Sequence, residues 1–323
     1  MASPGLDEIV TTTLRNRSGV VADNMSKNNA LLYRLNKRGR VKPVSGGRTI
    51  VRELSYAENS TFQRYSGYEI LNTSPSDVLS AAEFSWKQAS VAVTMSGLEQ
   101  YQNSGEDAVL DLLENRIEVA EKTMENNLSQ DMYSDGTASS GKQIGGLQLL
   151  VADAPTTGTV GGINRATYTF WRNQKYQATT DGGSAASSAN IQKYMNALYQ
   201  SCSRQTDRPD LIIADTNYYN FYLQSLQAIQ RITSDEMAQA GFQTLKYMGA
   251  DVVFDGGIGG GCPTNHMYML NTSYVFWQPH RDRNMVPLDQ VNSINQDAMV
   301  KLIIWMGNMT LSNAELQGVL FQT

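Results

Sequence analysis

Residues 104–133 have the sequence SGEDAVLDLLENRIEVAEKTMENNLSQDMY, which is the most regular stretch of the chain. Its apolar residues recur every three or four positions and so share one helical face; they are Leu110, Leu113, Ile117, Ala120, Met124, Leu128 and Met132. Ser104 and Asp107 form a variant of the capping box, and Asp135-Gly136 ends the pattern. About 28 residues at ~1.5 Å each predict a rod of roughly 40 Å, long enough to brace a whole domain.

Upstream of this helix, residues 46–75 predict a long β-hairpin. Its strands would span residues 48–56 and 62–71, which are rich in β-branched and aromatic residues and are separated by a polar connection. Charged residues interrupt both faces of both runs, and a two-stranded hairpin alone is only marginally stable in water. We therefore expect the hairpin to project and to be completed by another copy of the chain. An ordinary edge hairpin packed on its own domain is the alternative.

Residues 1–45 show no pattern that closes a core, although one or two helical turns could form around Leu31, Leu32 and Leu35, and we expect an extended arm. Residues 1–52 hold ten Lys or Arg and three acidic residues, a net charge of +7, so the total of −5 leaves −12 for the remainder. A basic arm on an acidic body can cross a neighbouring copy or face nucleic acid. A solvated basic surface is the simpler alternative.

The rest of the chain mixes strands and helices. Residues 83–95 predict one long strand or a strand pair, residues 190–204 predict an amphipathic helix, and residues 217–230 predict a further helix. Apolar runs predict short strands at residues 211–214, 245–248, 251–254, 266–270, 274–277, 299–306 and 318–321. Residues 190–280 therefore predict a mixed α/β unit.

The sequence offers little for catalysis, metal binding or cofactor binding. The glycine run at residues 256–261 lacks the Lys-Ser/Thr of a phosphate-binding loop, and no G-x-S-x-G motif occurs. The two histidines, His266 and His280, have no companions at metal-ligand spacing. Cys202 and Cys262 give no disulfide framework and fit either two buried thiols or one bridge. We predict no catalytic, metal or cofactor site.

Length and composition indicate a folded protein made and used in a cytoplasm. The chain has 323 residues, of which 41% are hydrophobic. Its longest apolar stretches, such as residues 302–306, are far too short to span a bilayer. The N-terminal sequence MASPGLDEIV lacks the pattern of a secretion signal.

The order of these elements resembles that of the major capsid proteins of tailed bacteriophages, whose shared fold has an arm, an extended loop, a peripheral domain with a spine helix, and an axial domain. Residues 1–45 resemble the arm, residues 46–75 the extended loop and residues 104–133 the spine helix. KQIGGL at residues 142–147 is similar to the segment that follows that helix, and PDLIIAD at residues 209–215 to the axial strand. The resemblance assigns residues 76–145 and 281–323 to the peripheral domain and residues 146–280 to the axial domain.

This resemblance implies a lambdoid-type α+β capsid fold and a subunit that forms pentamers and hexamers of an icosahedral shell around double-stranded DNA. The expected partners are the chain itself, a scaffolding protein, a portal, a decoration protein and, nonspecifically, the packaged DNA. Residues 46–75 contain no lysine, which some relatives use to cross-link subunits, so such cross-linking is not expected. Some relatives carry a long N-terminal scaffolding segment that is cleaved, so the short arm predicts a separate scaffolding protein unless this sequence is already processed. The expected location is the virion, after assembly in a bacterial cytoplasm.

Eight residues are candidates for contacts between copies, from the arm and the predicted hairpin: Arg38, Arg40, Arg48, Arg52, Arg64, Phe62, Tyr65 and Tyr68. Three other interpretations remain open at this point. The chain could form an encapsulin-like compartment, which uses the same fold to hold cargo. It could be another structural part of a virion, or a soluble α/β enzyme built on residues 190–280.

Overall fold

The computed structural model describes residues 29–98, 106–226, 244–256, 260–288, 291–292 and 298–322. The helices are α1 Ala30–Lys37, α2 Glu106–Asp131, α3 Ala138–Gly141, α4 Leu147–Leu150, α5 Ile191–Ser201 and α6 Thr216–Ser225, with a 3₁₀ turn at Thr169–Trp171. The strands are β1 Ile50–Ser55, β2 Leu79–Phe84, β3 Lys87–Ser96, β4 Thr159–Val160, β5 Ile163–Asn164, β6 Gln174–Gln177, β7 Leu211–Ala214, β8 Thr244–Tyr247, β9 Ala250–Phe254, β10 His266–Leu270, β11 Val275–Pro279, β12 Val286–Pro287, β13 Val291–Asn292, β14 Ala298–Leu311 and β15 Gly318–Phe321.

The long helix is confirmed as α2, Glu106–Asp131. The predicted apolar stripe is buried at Ile117, Ala120, Met124, Leu128 and Met132, because this face packs toward β3 and the core beneath it. On the exposed face, the Lys122 Nζ lies 2.6 Å from Glu118 Oε1, a pair one helical turn apart. The predicted cap at Ser104 and the side chains of Leu110 and Leu113 lie outside the described residues.

The helix lies beside an antiparallel sheet built on β14, which is 14 residues long. One edge of β14 pairs with β3 over ten positions, from Ala298↔Ser96 to Gly307↔Lys87. The other edge pairs in turn with β13, β12 and β11. Trp277 on β11 and Trp305 on β14 stack beneath this sheet with ring centroids 5.0 Å apart, so the sheet shares the main core with α2.

A second, mixed sheet has six strands in the order β6-β15-β10-β7-β9-β8. β7 is buried on both faces because alternate residues enter different cores: Leu211 and Ile213 face the main core, whereas Ile212 and Ala214 face a second core under α5 and α6. The α/β unit predicted for residues 190–280 is therefore present, and the predicted helix stripe from Ile191 to Cys202 is buried.

Two strands cross the predicted division at residues 280 and 281. β15 was assigned with the peripheral domain but pairs with β10 and β6 in the six-stranded sheet. β11 was assigned with the axial domain but pairs with β14. A four- or five-residue apolar strand carries no signal of which sheet it joins, and the domain bounds themselves stay a prediction.

The predicted second strand of the hairpin, residues 62–71, is wrong. β1 pairs instead with β2, in the register Ile50↔Phe84 to Ser55↔Leu79, and residues 56–78 connect them without helix or strand. The reason is a matched buried face, since Ile50 and Leu54 on β1 and Ala82 and Phe84 on β2 all enter the core. Residues 83–95 accordingly form parts of two strands, β2 and β3, which pair with different partners.

The expectation that the arm closes no core is wrong for residues 29–44. Asn29 caps α1 by accepting from the Leu32 amide at 3.0 Å, and Leu31 and Leu35 are fully buried. The chain then runs parallel to β11, where the Lys42 amide donates to Trp277 O at 2.9 Å and the Val44 amide to Pro279 O at 3.0 Å. The apolar face of a short helix thus finds its partner in the chain's own body. Residues 1–28 of the predicted arm lie outside the described residues.

Candidate assembly surface

The connection between β1 and β2, residues 56–78, carries the largest group of exposed apolar side chains in the described chain. We call it the apolar loop. The exposed fractions are 77% for Phe62, 64% for Tyr65, 108% for Tyr68, 95% for Ile70 and 48% for Leu71. Several large apolar side chains exposed in one short segment are typical of a binding site for another macromolecule.

The apolar loop keeps its shape through short-range polar contacts. Gln63 Nε2 donates to Ile70 O at 3.1 Å, and Gln63 Oε1 accepts from the Asn72 amide at 3.3 Å. Glu69 accepts from the Ser66 amide at 3.2 Å across Gly67, whose φ of +61° suits glycine. Backbone and polar groups therefore bond within the loop, while its aromatic side chains remain in water.

The base of the hairpin is fixed to the body. The Glu83 amide donates to Gly161 O at 2.9 Å, and Gly161 has a φ of +59°. A Cβ at Gly161 would lie 2.9 Å from Ala82 Cβ and 3.1 Å from Phe84 Cζ, so only glycine allows this approach. Tyr56, at the start of the loop, stacks on Phe170 at 5.2 Å. A base packed on the body thus holds a loop whose outer part has few contacts with that body.

Two of the predicted contact arginines meet at Phe276 on β11. The Cζ atoms of Arg52 and Arg40 lie 3.9 and 5.3 Å from the ring centroid, and Lys42 Nζ lies 5.6 Å from it. We call these four residues the Phe276 cluster. Lys42 was not among the predicted contact residues, although its spacing of two from Arg40 places both side chains on one face of an extended segment.

A third predicted contact residue, Arg38, pairs with the chain's own body. Asp210 Oδ2 lies 3.0 Å from Arg34 Nε and 3.3 Å from Arg38 Nη2, and Asp210 also accepts from the Thr272 amide and hydroxyl. Arg34 Nη1 lies 3.4 Å from Asp251, a second buried acid. Arg34 and Asp251 are buried in this network and Arg38 is at its exposed edge; the network fixes α1 to the start of β7 and was not predicted from the sequence.

The remaining predicted residues are on the hairpin surface. Arg48 is exposed just before β1, and within the described residues it forms no ion pair. Arg64 is exposed in the apolar loop with its Cζ 5.5 Å from the Phe62 ring centroid. The structure therefore brings Arg64, Phe62, Tyr65 and Tyr68 together in the loop, whereas Arg38, Arg40 and Arg52 contact the body.

An open groove between β3 and α2 offers a second apolar surface. Its volume is about 740 Å³, and apolar side chains dominate its lining, among them Val91, Val93, Val119 and Ala120. Val119 lies on the outer side of α2 and is 65% exposed. Sequence periodicity could not reveal this groove, because it depends on the spacing of α2 and β3.

The buried titratable groups form structural contacts. The Tyr133 hydroxyl donates to Asp255, and burial raises the pKa of that carboxyl. Burial also raises the pKa of the Cys202 thiol to about 12 and raises the pKa of the Cys262 thiol well above its usual value, and the two thiols are not bonded to each other. Among the residues that the structure describes, no three His, Cys, Asp or Glu side chains gather as a metal would require, and no helix could cross a membrane.

Comparison with known proteins gives the fold. No protein-family model and no curated protein matches the sequence. A solved capsid asymmetric unit of cyanophage A-1(L) has a TM-score of 0.62 at 17% identity, over 88% of this chain and 90% of that chain. The capsid of an empty GTA particle gives 0.56 at 9% identity, and a structure from Mycobacterium phage Bobi gives 0.55 at 13%, each over 88% of this chain and 89% of that chain. This chain has a phage capsid fold.

The capsid fold confirms the resemblance that the order of elements suggested, including the α+β class. At these identities the likeness establishes the fold alone, and the role of each surface has to be argued from the residues. Two surfaces stand out on this capsid fold, namely the apolar loop on its fixed base and the groove between β3 and α2.

Proposed function

We propose that this chain is the major capsid protein of a tailed phage, a structural subunit whose copies form pentamers and hexamers of an icosahedral shell around double-stranded DNA. The observation that carries the proposal is the apolar loop, which leaves Phe62, Tyr68 and Ile70 in water on a rigid base. Burying these side chains against another copy removes apolar area from water, at about 25 cal/mol per Å². The capsid fold supports the same role.

The groove between β3 and α2 is the surface of a second copy that best fits the apolar loop. It is concave and mostly apolar, and Val119 at its rim is exposed in the single chain. A loop from one copy and a groove from the next make a contact between two different surfaces, which closes into rings of five or six. Each contact can be weak, because every copy makes several at once and the contacts reinforce one another.

The other partners follow from this role and stay proposals. A scaffolding protein would guide assembly, a portal would occupy one vertex, and a decoration protein would bind the outer surface. Contact with the packaged DNA would be nonspecific, since a net charge of −5 does not favour tight phosphate binding. The chain would assemble in the host cytoplasm, remain in the virion and catalyse no reaction.

Electron microscopy of the purified chain, expressed with and without a scaffolding protein, tests the proposal. We expect closed shells from the wild type. A triple variant with Phe62→Ser, Tyr68→Ser and Ile70→Ser should fold normally, by circular dichroism and thermal melting, yet stay unassembled. The control is Met248→Asn, which removes an exposed apolar side chain from the body, where Met248 has a φ of +48° that asparagine tolerates.

Shell formation by the triple variant at wild-type concentration would contradict the role of the loop. Shells that enclose other proteins in place of DNA, when formed in infected or lysogenic cells, would identify a cargo compartment. Tubes or rings in the micrographs would identify another virion part.

A further inference from the structure

The Phe276 cluster concentrates positive charge at one point on the surface of the fold. Phe276 is nearly buried on β11, and Arg40, Lys42 and Arg52 approach its ring from two separate segments of chain. The backbone fixes this arrangement. The segment with Arg40 and Lys42 is hydrogen-bonded to β11, and β1 presents Arg52. The backbone therefore fixes the positions of three cationic side chains around one aromatic ring.

Among the residues that the structure describes, no carboxylate pairs with this cluster. Arg52 Nε donates to Gln278 Oε1 at 3.0 Å and to Thr310 Oγ1 at 3.3 Å, both neutral acceptors. Arg40 Nε and Arg52 Nη2 are buried from solvent and have no hydrogen-bond acceptor. None of the three cations forms an ion pair within the described part of the chain. Arg34 and Arg38, a few residues away, share the carboxylate of Asp210.

Unpaired cations in close proximity disfavour one another, and burial adds to the cost. Both guanidinium groups lie over the same ring, and the pKa of Arg52 is lowered by its burial and then by the charge of Arg40. A carboxylate placed between Arg40 and Lys42 would stabilise all three charges, and guanidinium groups bind carboxylates in a two-bond fork.

We propose that the Phe276 cluster binds an aspartate or glutamate side chain of a second copy of this chain. The inference rests on the proposed function and names the chemistry of one contact between copies. Charge complementarity favours a copy of the chain, because residues outside the first 52 carry a net charge of −12. DNA fits less well, because Arg40 and Arg52 are partly buried beside β11. The phosphates of a stiff double helix reach such partly buried groups less easily than a flexible side chain does.

The test compares the double variant Arg40→Gln with Lys42→Gln against Arg48→Gln, a nearby exposed arginine outside the cluster. Assembly of the purified, nuclease-treated chain is followed by light scattering at about 0.05 M and 0.5 M NaCl, where salt screens exposed charges to very different degrees. We expect the double variant to need about tenfold more protein for half-maximal assembly at low salt. It should also lose most of the salt response that the wild type and Arg48→Gln share.

Thermal melting of the unassembled chain separates this role from a structural one. Removing unneutralised cations should leave the melting temperature of the single chain unchanged or higher. A lower melting temperature together with weaker assembly would show that the cations support the fold, and would overturn the inference. Lys42→Gln alone, at an exposed position, repeats the measurement should the double variant fail to fold, and the same assembly defect in smaller degree is expected.

Two further outcomes would also overturn the inference. The first is assembly of the double variant that matches Arg48→Gln at both salt concentrations. The second is normal assembly of empty shells with a loss confined to DNA-filled particles, which would assign the cluster to phosphates. Failure of the wild type to assemble under any condition is a separate result, because it removes the proposed function along with this contact.

Discussion

Residues 29–44 and the apolar loop carry similar sequence patterns, a few apolar residues among many polar ones, yet they end in opposite situations. In the first segment, Leu31 and Leu35 are fully buried and Arg34 is paired with Asp210. In the second, Tyr68 and Ile70 remain almost entirely in water. The difference lies in what each segment meets. The first finds β7 and β11 of its own chain, whereas the loop is held away from the body by β1 and β2.

The comparison separates contacts that stabilise one chain from contacts that become available to another. A segment completed by its own chain contributes to folding, so changes there should lower the free energy of unfolding of the single chain. A segment left uncovered contributes little to folding, so changes there should act on assembly.

The largest effect on the single chain is expected from Asp210→Ala. This change leaves the buried Arg34 and the partly exposed Arg38 without their shared carboxylate and frees the Thr272 amide. Breaking a buried ion pair from one side costs about 3–5 kcal/mol. Urea denaturation of the unassembled chain measures it, with Glu58→Ala in the apolar loop as control. An equal effect of the two substitutions would remove the distinction between the segments.

The next largest effect on the free energy of unfolding is expected from truncating a buried apolar side chain, compared with truncating an exposed one. Leu31→Ala should lower the free energy of unfolding by about 2–5 kcal/mol, because it leaves a cavity beside α1. Ile70→Ala, in the apolar loop, should change it by less than about 0.5 kcal/mol, because that side chain is already exposed. The same denaturation measurement applies to both variants. A cost above about 2 kcal/mol for Ile70→Ala would mean that the loop folds back on its own body.

The base of the hairpin can be weakened without touching either segment. Gly161→Ala should cost about 1–3 kcal/mol, because the residue has a positive φ and the new Cβ meets Ala82 and Phe84. Gly162→Ala is the control, since Gly162 has a φ of +76° but open space around its Cβ position. Thermal melting measures the loss of stability in each variant. The loss in Gly161→Ala beyond that in Gly162→Ala is the contribution of packing at the hairpin base. Equal costs would show that this packing is unimportant.

The smallest effect concerns pH and lies in the body, since neither compared segment contains a histidine. Burial alone would lower the pKa of His266, but hydrogen bonds to Asp153 Oδ2 at 3.0 Å and Thr264 O at 2.8 Å raise it above its usual value. The stabilisation is complete below the pKa of the unfolded chain, about 6.5, and is lost as pH rises through the folded-state pKa. The free energy of unfolding should therefore fall with rising pH above about 6.5, and His266→Gln should flatten the curve.

Much of the fold could be predicted because the relevant signals are local. The stripe from Ile117 to Met132 and the buried strand at residues 211–214 follow from periodicity and composition, and both are confirmed. The ordered series of elements also predicted the capsid fold. The prediction that failed, a second hairpin strand at residues 62–71, depends on pairing between residues that are distant in sequence. Nothing in residues 62–71 shows that β1 pairs with residues 79–84, because the match lies in shared burial of Ile50, Leu54, Ala82 and Phe84.

The candidate surface could be predicted in part. Phe62, Tyr65 and Tyr68, predicted as contact residues, are exposed in the single chain, and their contact with other copies stays a prediction. The arginines were harder, because sequence gives their charge but not their neighbours. Arg38 is paired with Asp210 across 172 positions of chain, and Arg52 lies on a phenylalanine more than 200 positions away. Their contact with other copies stays a prediction.

The length of β14 has a mechanical consequence. At ~3.3 Å per residue its 14 residues run roughly 45 Å through the sheet, and hydrogen bonds join it to β3 on one side and to three strands on the other. Tension applied along this strand is shared by all of those bonds simultaneously, whereas a peeling force would break them one by one. In the proposed shell, this strand would therefore resist stretching of the wall along its own direction.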